Sequence, residues 1–355
     1  MNQAAFPFVH AVRGDRVPGS ARRDAGASSF PALASSPSLP AVRNEADPGD
    51  ALGFDHARYG LVPPAACLWP GHPVREGWER GRRLVGRRTR TATLAVRRWL
   101  AMRLAAWSEG RPFDDHQITP QVLRSLEAAV RCPITGQPMG DEAEVVAVDA
   151  GRGWAAGNLA LVSPEVAAVW RVLNWEDACE ALARVQADPE TLVQGLPLRA
   201  WRRIVCLKSL ATPLPDHEAA RIPLVVLPPN RLRLLNPLQE LQAVLTVQLA
   251  VPGWGTRARA VAEALPLGLR CEFNLFFHSL LARALRQGLG SSRDALREAL
   301  SLAWEDPVVQ RRWGRLARLV DAAQAHTLVD RLARMGLPGL QLVRHEDTAM
   351  RLAAS

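Results

Sequence analysis

Apolar residues recur at helical spacing in the C-terminal half of the chain. One set falls on a single face of a helix with about 3.6 residues per turn: Phe273, Phe276, Phe277, Leu280, Leu281, Ala284 and Leu285. The same spacing returns in Trp313, Leu316, Leu319, Val320 and Ala323. This pattern predicts amphipathic helices.

A short polar residue followed by proline marks predicted helix starts. The polar side chain can accept a hydrogen bond from a free N–H of the first turn, and proline suits the first helical position because its missing donor is not needed there. Asn174, with Asp177 three residues later, forms a candidate capping pair. The five dipeptides are Thr119-Pro120, Ser163-Pro164, Asp188-Pro189, Asn236-Pro237 and Asp306-Pro307.

Together these patterns predict a mainly α fold, a multi-helix domain with a small two-stranded ββα-like insert. Two short apolar runs, 144–149 and 159–163, lie on either side of a glycine-rich turn and predict two brief strands. Residues 223–227 and 340–343 are further candidates for extended structure. The predicted helices span 92–109, 119–131, 163–173, 175–186, 189–211 with a break, 237–250, 256–265, 271–289, 292–304 and 307–335.

The N-terminal region differs in composition from the rest. Residues 1–50 are rich in Ser, Pro and Gly and show no helical or alternating periodicity, so we predict a disordered tail. Order is expected from about Phe54, followed by an irregular proline-rich stretch. We divide the remainder into a basic helical region, 51–173, that carries the ββα-like insert, and a helical domain, 174–355.

Five widely separated cysteines predict neither a disulfide framework nor a zinc knuckle, and favour a reducing compartment. These are Cys67, Cys132, Cys179, Cys206 and Cys271. The longest apolar runs fall well short of the roughly 20 residues that cross a bilayer. No secretory signal is recognisable, and a transit peptide is the minor alternative. We expect a cytoplasmic protein of bacterial type with no membrane partner and, lacking nucleotide-binding loops, no cofactor.

The chain is strongly basic, with a formal net charge of +9 and a pI near 10.6. Such a balance favours an anionic partner. Only Lys208 among the 44 basic residues is a lysine, a bias typical of GC-rich genomes, so charge position is more informative than arginine identity. Between Arg75 and Arg103 ten arginines accompany only two glutamates, so nearly all the excess charge lies there.

We predict that arginines of this segment bind phosphates without sequence specificity. Interleaved tryptophans could stack on exposed bases. A second interpretation stays open, in which the tryptophans face the core while Arg97, Arg98 and Arg103 line an ordinary solvated helix face. The predicted phosphate-binding residues are Arg80, Arg82, Arg83, Arg87, Arg88, Arg90, Arg97, Arg98 and Arg103.

Residues 131–173 resemble the small ββα module of HNH (His-Me finger) endonucleases. The order is Cys132-Pro133-Ile134-Thr135-Gly136, an apolar strand to Asp149, then Gly153-Trp154, then Asn158-Leu159. Gly153 and Trp154 match the family's Gly-Tyr pair, Asn158 matches its central asparagine, and Asp149 matches its second acidic position.

The chain departs from that family at the positions that carry catalysis and metal binding. Val146 stands where the family has the acidic residue or histidine that activates water or binds the metal, and Ala147 replaces the following basic residue. Thr135 replaces the second cysteine of the knuckle. Since valine can neither accept a proton nor ligate a metal, the resemblance implies a catalytically inactive module with no metal.

The leading hypothesis is therefore a non-catalytic protein associated with DNA or RNA. Two alternatives stay open. One is a helical interaction or scaffold protein that presents Phe273, Phe276 and Phe277 to a protein partner. The other is a metal-dependent HNH-type endonuclease with Asp149 as a ligand and a catalytic residue from elsewhere.

Overall fold

Helices form most of the computed structural model, which describes residues 47–188, 190, 192–250, 253–288 and 293–335. The mainly α prediction is confirmed, as is a single small two-stranded sheet within the described residues. The helices are α1 Pro48–Arg58, α2 Pro73–Val85, α3 Leu94–Ser108, α4 Pro120–Glu127, α5 Pro164–Trp170, α6 Trp175–Ala187, α7 Leu198–Ala211, α8 Asp216–Ala219, α9 Pro237–Val247, α10 Trp254–Ala264, α11 Leu267–Arg286, α12 Arg293–Ala303, α13 Pro307–Ala317 and α14 Ala322–Arg334.

Polar caps start several of these helices as the sequence predicts. The Thr119 hydroxyl accepts from the Val122 N–H at 3.4 Å, and the Asp306 carboxylate accepts from the Val308 N–H at 2.7 Å. Asn174 and Asp177 form a reciprocal capping box at the start of α6. Ser163 and Asn236 also precede helices with proline at the first position, but their side chains bond elsewhere.

Two predicted helix boundaries are wrong. Asp188 closes α6 instead of opening the next helix, and α7 begins only at Leu198. The predicted helix 307–335 is two helices, because Asp321 and Gln324 form a capping box that opens α14. A capping box satisfies the first free N–H groups and so favours a helix start even within a continuous apolar pattern.

Two smaller expectations also change. The helix predicted over 119–131 ends at Glu127, after which Arg131 pairs with Pro138. Residues 223–227 are buried but lie in no strand. The candidate stretch 340–343 is outside the described residues.

Helices α1 and α2 were not predicted, and they pack against each other along glycines. A Cβ at Gly53 would lie 1.9 Å from the Val74 carbonyl oxygen, and one at Gly77 would lie 1.9 Å from the Asp50 carbonyl oxygen. Gly81 faces Ala57 in the same way, so the two helices run parallel with backbones in contact. The predicted tail over 1–50 extends too far, because α1 already begins at Pro48. Residues 1–46 are outside the described residues.

The two strands, β1 Glu144–Ala147 and β2 Leu159–Val162, form an antiparallel hairpin that leads directly into α5. Val146 pairs with Ala160, and every residue of β2 is buried. Trp170 of α5 donates its indole N–H to the Ala147 carbonyl at 2.8 Å. The predicted order of strand, strand and helix is therefore present.

The aromatic residues of α11 form the core of the C-terminal helices. Phe273, Phe276 and Phe277 are at most 1% exposed, and the Phe276 ring lies 5.4 Å from Trp304 and 5.5 Å from Trp313. These phenylalanines present no surface to a protein partner, which removes the observation that motivated the scaffold alternative. No described helix combines the length and the apolar character needed to cross a membrane.

Contacts join the ββα hairpin to the helices that follow the predicted boundary at 173. Lys208 of α7 donates to the Leu173 carbonyl at 2.5 Å and to the Val148 carbonyl at 3.4 Å. Arg203 donates to the Ile134 carbonyl at 3.4 Å and to Glu298 of α12 at 2.8 Å. The described residues from Pro48 onward accordingly group into one compact unit.

Candidate nucleic-acid interface

The arginine-rich segment 75–103 forms three consecutive parts: helix α2, a connection over 86–93, and helix α3. In α2 the buried positions include Gly77 and Gly81 against α1, whereas Arg82 and Arg83 are exposed. In α3, Val96, Leu100 and their buried neighbours face the core. The segment thus divides its arginines between helix contacts and solvent.

Three of the predicted phosphate-binding arginines are held in ion pairs between helices. Arg98 lies 2.7 Å from Glu127, and Arg103 lies 2.6 Å from both Asp55 and Asp115. Arg80 pairs with Asp50. The solvated position expected for Arg98 and Arg103 is wrong, since their side chains are only 12% and 11% exposed.

The remaining arginines of the prediction are exposed. Arg83 reaches only 4.0 Å from Glu79 and is 81% exposed. No described carboxylate pairs with the other five, which are Arg82, Arg87, Arg88, Arg90 and Arg97.

The parallel packing of α1 and α2 places their C-terminal ends together. The Arg90 N–H donates to the Arg58 carbonyl at 2.9 Å, and Gly60 faces the Thr89 side chain. Arg58 lies 4.0 Å from Asp55, a carboxylate that Arg103 binds more closely at 2.6 Å. We call this surface the basic end, formed by Arg58, Arg82, Arg83, Arg87, Arg88 and Arg90.

Helix dipoles do not neutralise the basic end. Each helix C-terminus carries about half a negative charge, so two helices supply roughly one against six guanidinium groups. The carboxylate of Glu79 is already bound by Arg75 at 2.7 Å, which lowers the pKa of Glu79. A concentrated positive surface therefore remains.

The tryptophans of the arginine-rich segment mostly pack against the core. This agrees with the alternative interpretation of the sequence, in which they do not stack on bases. The Trp78 indole donates to the Leu61 carbonyl at 2.9 Å, and the Trp99 indole donates to the Ile118 carbonyl at 2.8 Å. Trp107 packs beside the buried His72 ring. Trp69, which the sequence analysis did not single out, is 57% exposed.

Four of the five residues that carry the HNH resemblance lie in one loop between β1 and β2: Asp149, Gly153, Trp154 and Asn158. The buried Asn158 amide accepts from the Asp149 N–H at 2.9 Å and donates to the Asp149 and Gly153 carbonyls, both at 2.8 Å. Gly153 has a φ of +57°, and the Trp154 carbonyl accepts from the Asp114 N–H. Asn158 therefore holds the loop closed through backbone groups.

The residues at the positions that are catalytic or metal-binding in an HNH nuclease are here buried or hydrogen-bonded within the fold. Val146 is 4% exposed, and the Asp149 carboxylate accepts from the Gly151 N–H at 2.9 Å. Buried Cys132 lies in a tight turn, where its sulfur accepts from the Ser163 hydroxyl at 3.4 Å. Among the described residues no cluster of three His, Cys, Asp or Glu side chains is placed to hold a metal ion.

Lys208, the one lysine, is the unusual titratable group near this loop. Its side chain is buried, with the ammonium 4.3 Å from the centre of the Trp170 ring. Burial lowers the pKa of Lys208 to about 8, although Asp149 and Asp177 raise it in part. The sequence marked this residue only as a compositional exception, because its burial depends on the packing of α7 against the hairpin.

Comparisons with protein-family models, curated proteins and solved structures find no match for this chain. The HNH resemblance therefore rests on the quoted residues alone.

Proposed function

We propose that the chain is a non-catalytic nucleic-acid-associated protein that binds phosphates of DNA or RNA through the basic end. The supporting observation is the convergence of six arginines at one end of α1 and α2, of which four have no carboxylate partner among the described residues. Guanidinium groups contact phosphate oxygens wherever a backbone presents them, so this binding carries no sequence preference.

The division of the arginines refines which residues carry the contacts. Arg80, Arg98 and Arg103 are bound to carboxylates, so their loss would alter stability more than phosphate binding. Arg97 is exposed on the first turn of α3 and forms no ion pair with a described carboxylate. We assign the phosphate contacts to the basic end and Arg97.

The non-catalytic part of the proposal rests on Val146 and Asp149. A buried valine has no lone pair to activate water, and the Asp149 carboxylate is engaged with backbone. We expect supercoiled plasmid to remain intact with Mg²⁺ or Mn²⁺ while the folded protein binds it. Plasmid cleavage by folded protein, lost in Asp149→Asn, would instead support the nuclease alternative.

Binding is tested by fluorescence anisotropy with a labelled DNA duplex, a single-stranded DNA and an RNA hairpin at low salt. The variant Arg82→Gln/Arg87→Gln/Arg88→Gln removes three unpaired charges of the basic end. The matched control, Arg311→Gln/Arg315→Gln/Arg318→Gln, removes three exposed charges of the α13 region. We expect at least a tenfold loss of affinity in the first variant and little in the second; equal losses, or no binding by the wild type, would refute the proposal.

A further inference from the structure

A second group of arginines lies outside the basic end, at the tip of the ββα hairpin. Arg152 belongs to the glycine-rich turn between the strands, and Arg233 belongs to the connection between α8 and α9. Both are partly buried. Nothing in the proposed function uses them.

A tight backbone contact places Arg233 against Gly157, which lies in the same loop between β1 and β2 as Arg152. The Arg233 N–H donates to the Gly157 carbonyl at 2.8 Å, and a Cβ at Gly157 would lie 2.8 Å from the Arg233 Cβ. Gly157 has a φ of +78°, so only glycine fits this position. The neighbouring Arg231 holds a φ of +63°, which non-glycine residues rarely adopt. The backbone is therefore shaped to hold Arg233 against the hairpin.

The guanidinium groups of this pair have no counter-ion among the described residues. Arg152 Nη1 and Arg233 Nη2 are shielded from solvent and make no hydrogen bond. Neither they nor Arg231 form an ion pair with a described carboxylate. Asp149, the acidic residue of the same turn, accepts from the Gly151 N–H and pairs with none of them.

Two like charges that are partly desolvated and unpaired repel each other and destabilise the fold around them. Burial lowers the pKa of Arg233, and the charge of Arg152 lowers it further. An oxyanion between the two groups would supply the missing acceptors and reverse the repulsion, because a guanidinium matches the oxygens of a phosphate.

We infer that Arg152 and Arg233 form a discrete binding site for a phosphate group at the tip of the ββα hairpin. The ligand is either a free phosphate or a phosphate of a nucleic acid. This site is separate from the basic end and does not depend on the function proposed for it.

The first test measures the melting temperature of the full chain as inorganic phosphate is added. The NaCl concentration is lowered in step, so that the ionic strength stays constant. We expect a saturable rise of about 2–8 °C in the wild type, since a ligand that binds only the folded state stabilises it. The rise should disappear in Arg152→Gln and in Arg233→Gln and persist in Arg311→Gln/Arg315→Gln. The absence of a saturable rise, or an unchanged rise in both site variants, would overturn the inference.

The melting temperature without phosphate shows whether Arg152 and Arg233 bind a ligand or stabilise the fold. Without phosphate, either site variant should melt at or above the wild-type temperature, because the substitution removes a like-charge contact. A structural arginine would instead lower the melting temperature when replaced. A clear loss of stability in both variants, together with no phosphate response in the wild type, would also refute the site.

The source of the phosphate is distinguished with an unphosphorylated oligothymidylate. If the site takes nucleic-acid phosphates, Arg152→Gln/Arg233→Gln weakens binding of the oligonucleotide, and inorganic phosphate competes with it. If the site takes free phosphate, the same double variant loses the rise in melting temperature with phosphate but binds the oligonucleotide through the basic end as tightly as the wild type does. A wild type that binds phosphate but no oligonucleotide would refute the proposed function and leave this inference standing.

Discussion

Lys208 shows how one side chain can hold two elements together, here helix α7 and the ββα hairpin. Its ammonium donates to carbonyls at the end of β1 and after α5, and it lies over the Trp170 ring. These contacts fix α7 against the hairpin at the expense of desolvating a charge. Asn158 works on the same scale, since its amide ties both ends of the glycine turn.

The Lys208 amine should titrate near pH 8, as burial lowers its pKa to about 8 from the usual 10.5. Between these values the unfolded chain binds the proton that the folded chain has lost, so this group makes folding more favourable as the pH rises from about 8 to 10.5. Protein labelled with ¹³C at the lysine Cε gives a single lysine resonance, because the chain has one lysine. A midpoint near 10.5 in the folded protein would contradict the burial.

The HNH-like residues illustrate what sequence reasoning can reach at this scale. The strands, the glycine turn and the closeness of Asp149, Gly153 and Asn158 could be predicted from their order along the chain. Arg233 could not, because it lies about 80 residues from Arg152 and only the folded path of the 228–235 segment brings it to the turn. The exposure of individual arginines also depended on where carboxylates of other helices lie.

At the scale of elements, α1 and α2 form the support for the basic end. Their parallel arrangement depends on glycines at every fourth position, Gly49 and Gly53 in one helix and Gly77 and Gly81 in the other. Glycine is a poor helix former and adds no apolar side chain to a periodic pattern. For this reason the pattern that located the later helices could not reveal these two.

Substituting alanine at Gly53 or Gly77 should separate α1 from α2. The new Cβ would meet backbone oxygen at 1.9 Å, which no side-chain movement relieves, and we expect a loss of about 3 kcal/mol or more in the free energy of unfolding. Gly314→Ala is the control, since its Cβ would meet nothing within 4 Å and alanine favours a helix by about 0.5–1 kcal/mol. Urea unfolding followed by circular dichroism measures all three; equal stability of the Gly53 and Gly77 variants with wild type would contradict the packing.

The apolar periodicity predicted the C-terminal helices well because their packing is dominated by large side chains. Phe273, Phe276 and Phe277 are all buried, as a single apolar face requires. Leu285 and Leu319, at the margins of the same pattern, are 49% and 50% exposed. Helix ends were less predictable, since a capping box such as Asp321 with Gln324 interrupts a continuous apolar pattern.

At the scale of the whole molecule, the buried Arg203 connects distant parts of the chain. Arg203 is 2% exposed and bridges the Cys132 turn to α12 through Ile134 and Glu298. Burial alone would raise the pKa of Glu298, but Arg203 and Arg199 outweigh it and hold that pKa below its usual value. In this cluster the charges of Arg203 and Arg199 are paired with a carboxylate of the fold, so we do not count these arginines among the phosphate contacts.

Glu298→Gln should lower the stability of the chain because it leaves the Arg203 charge without its counter-ion. Breaking a fully buried pair costs about 3–5 kcal/mol, and we expect about 2–3 kcal/mol because Glu298 is partly exposed. The wild type should lose the same contribution as the pH falls through the lowered pKa of Glu298, while it is intact above pH 4.5. Exposed Glu180→Gln is the control, and a Glu298 variant as stable as this control would show that the pair contributes nothing.

The central claim is that phosphate contacts concentrate at the basic end, and the salt dependence of binding tests it most directly. The slope of log K against log salt concentration should be about −0.9 for each phosphate contacted on duplex DNA, so removing Arg82, Arg87 and Arg88 should make it less steep by about 2 to 3. The Arg311, Arg315 and Arg318 control should retain the wild-type slope. A wild-type slope near zero, or the same slope in the basic-end variant and the wild type, would contradict the account.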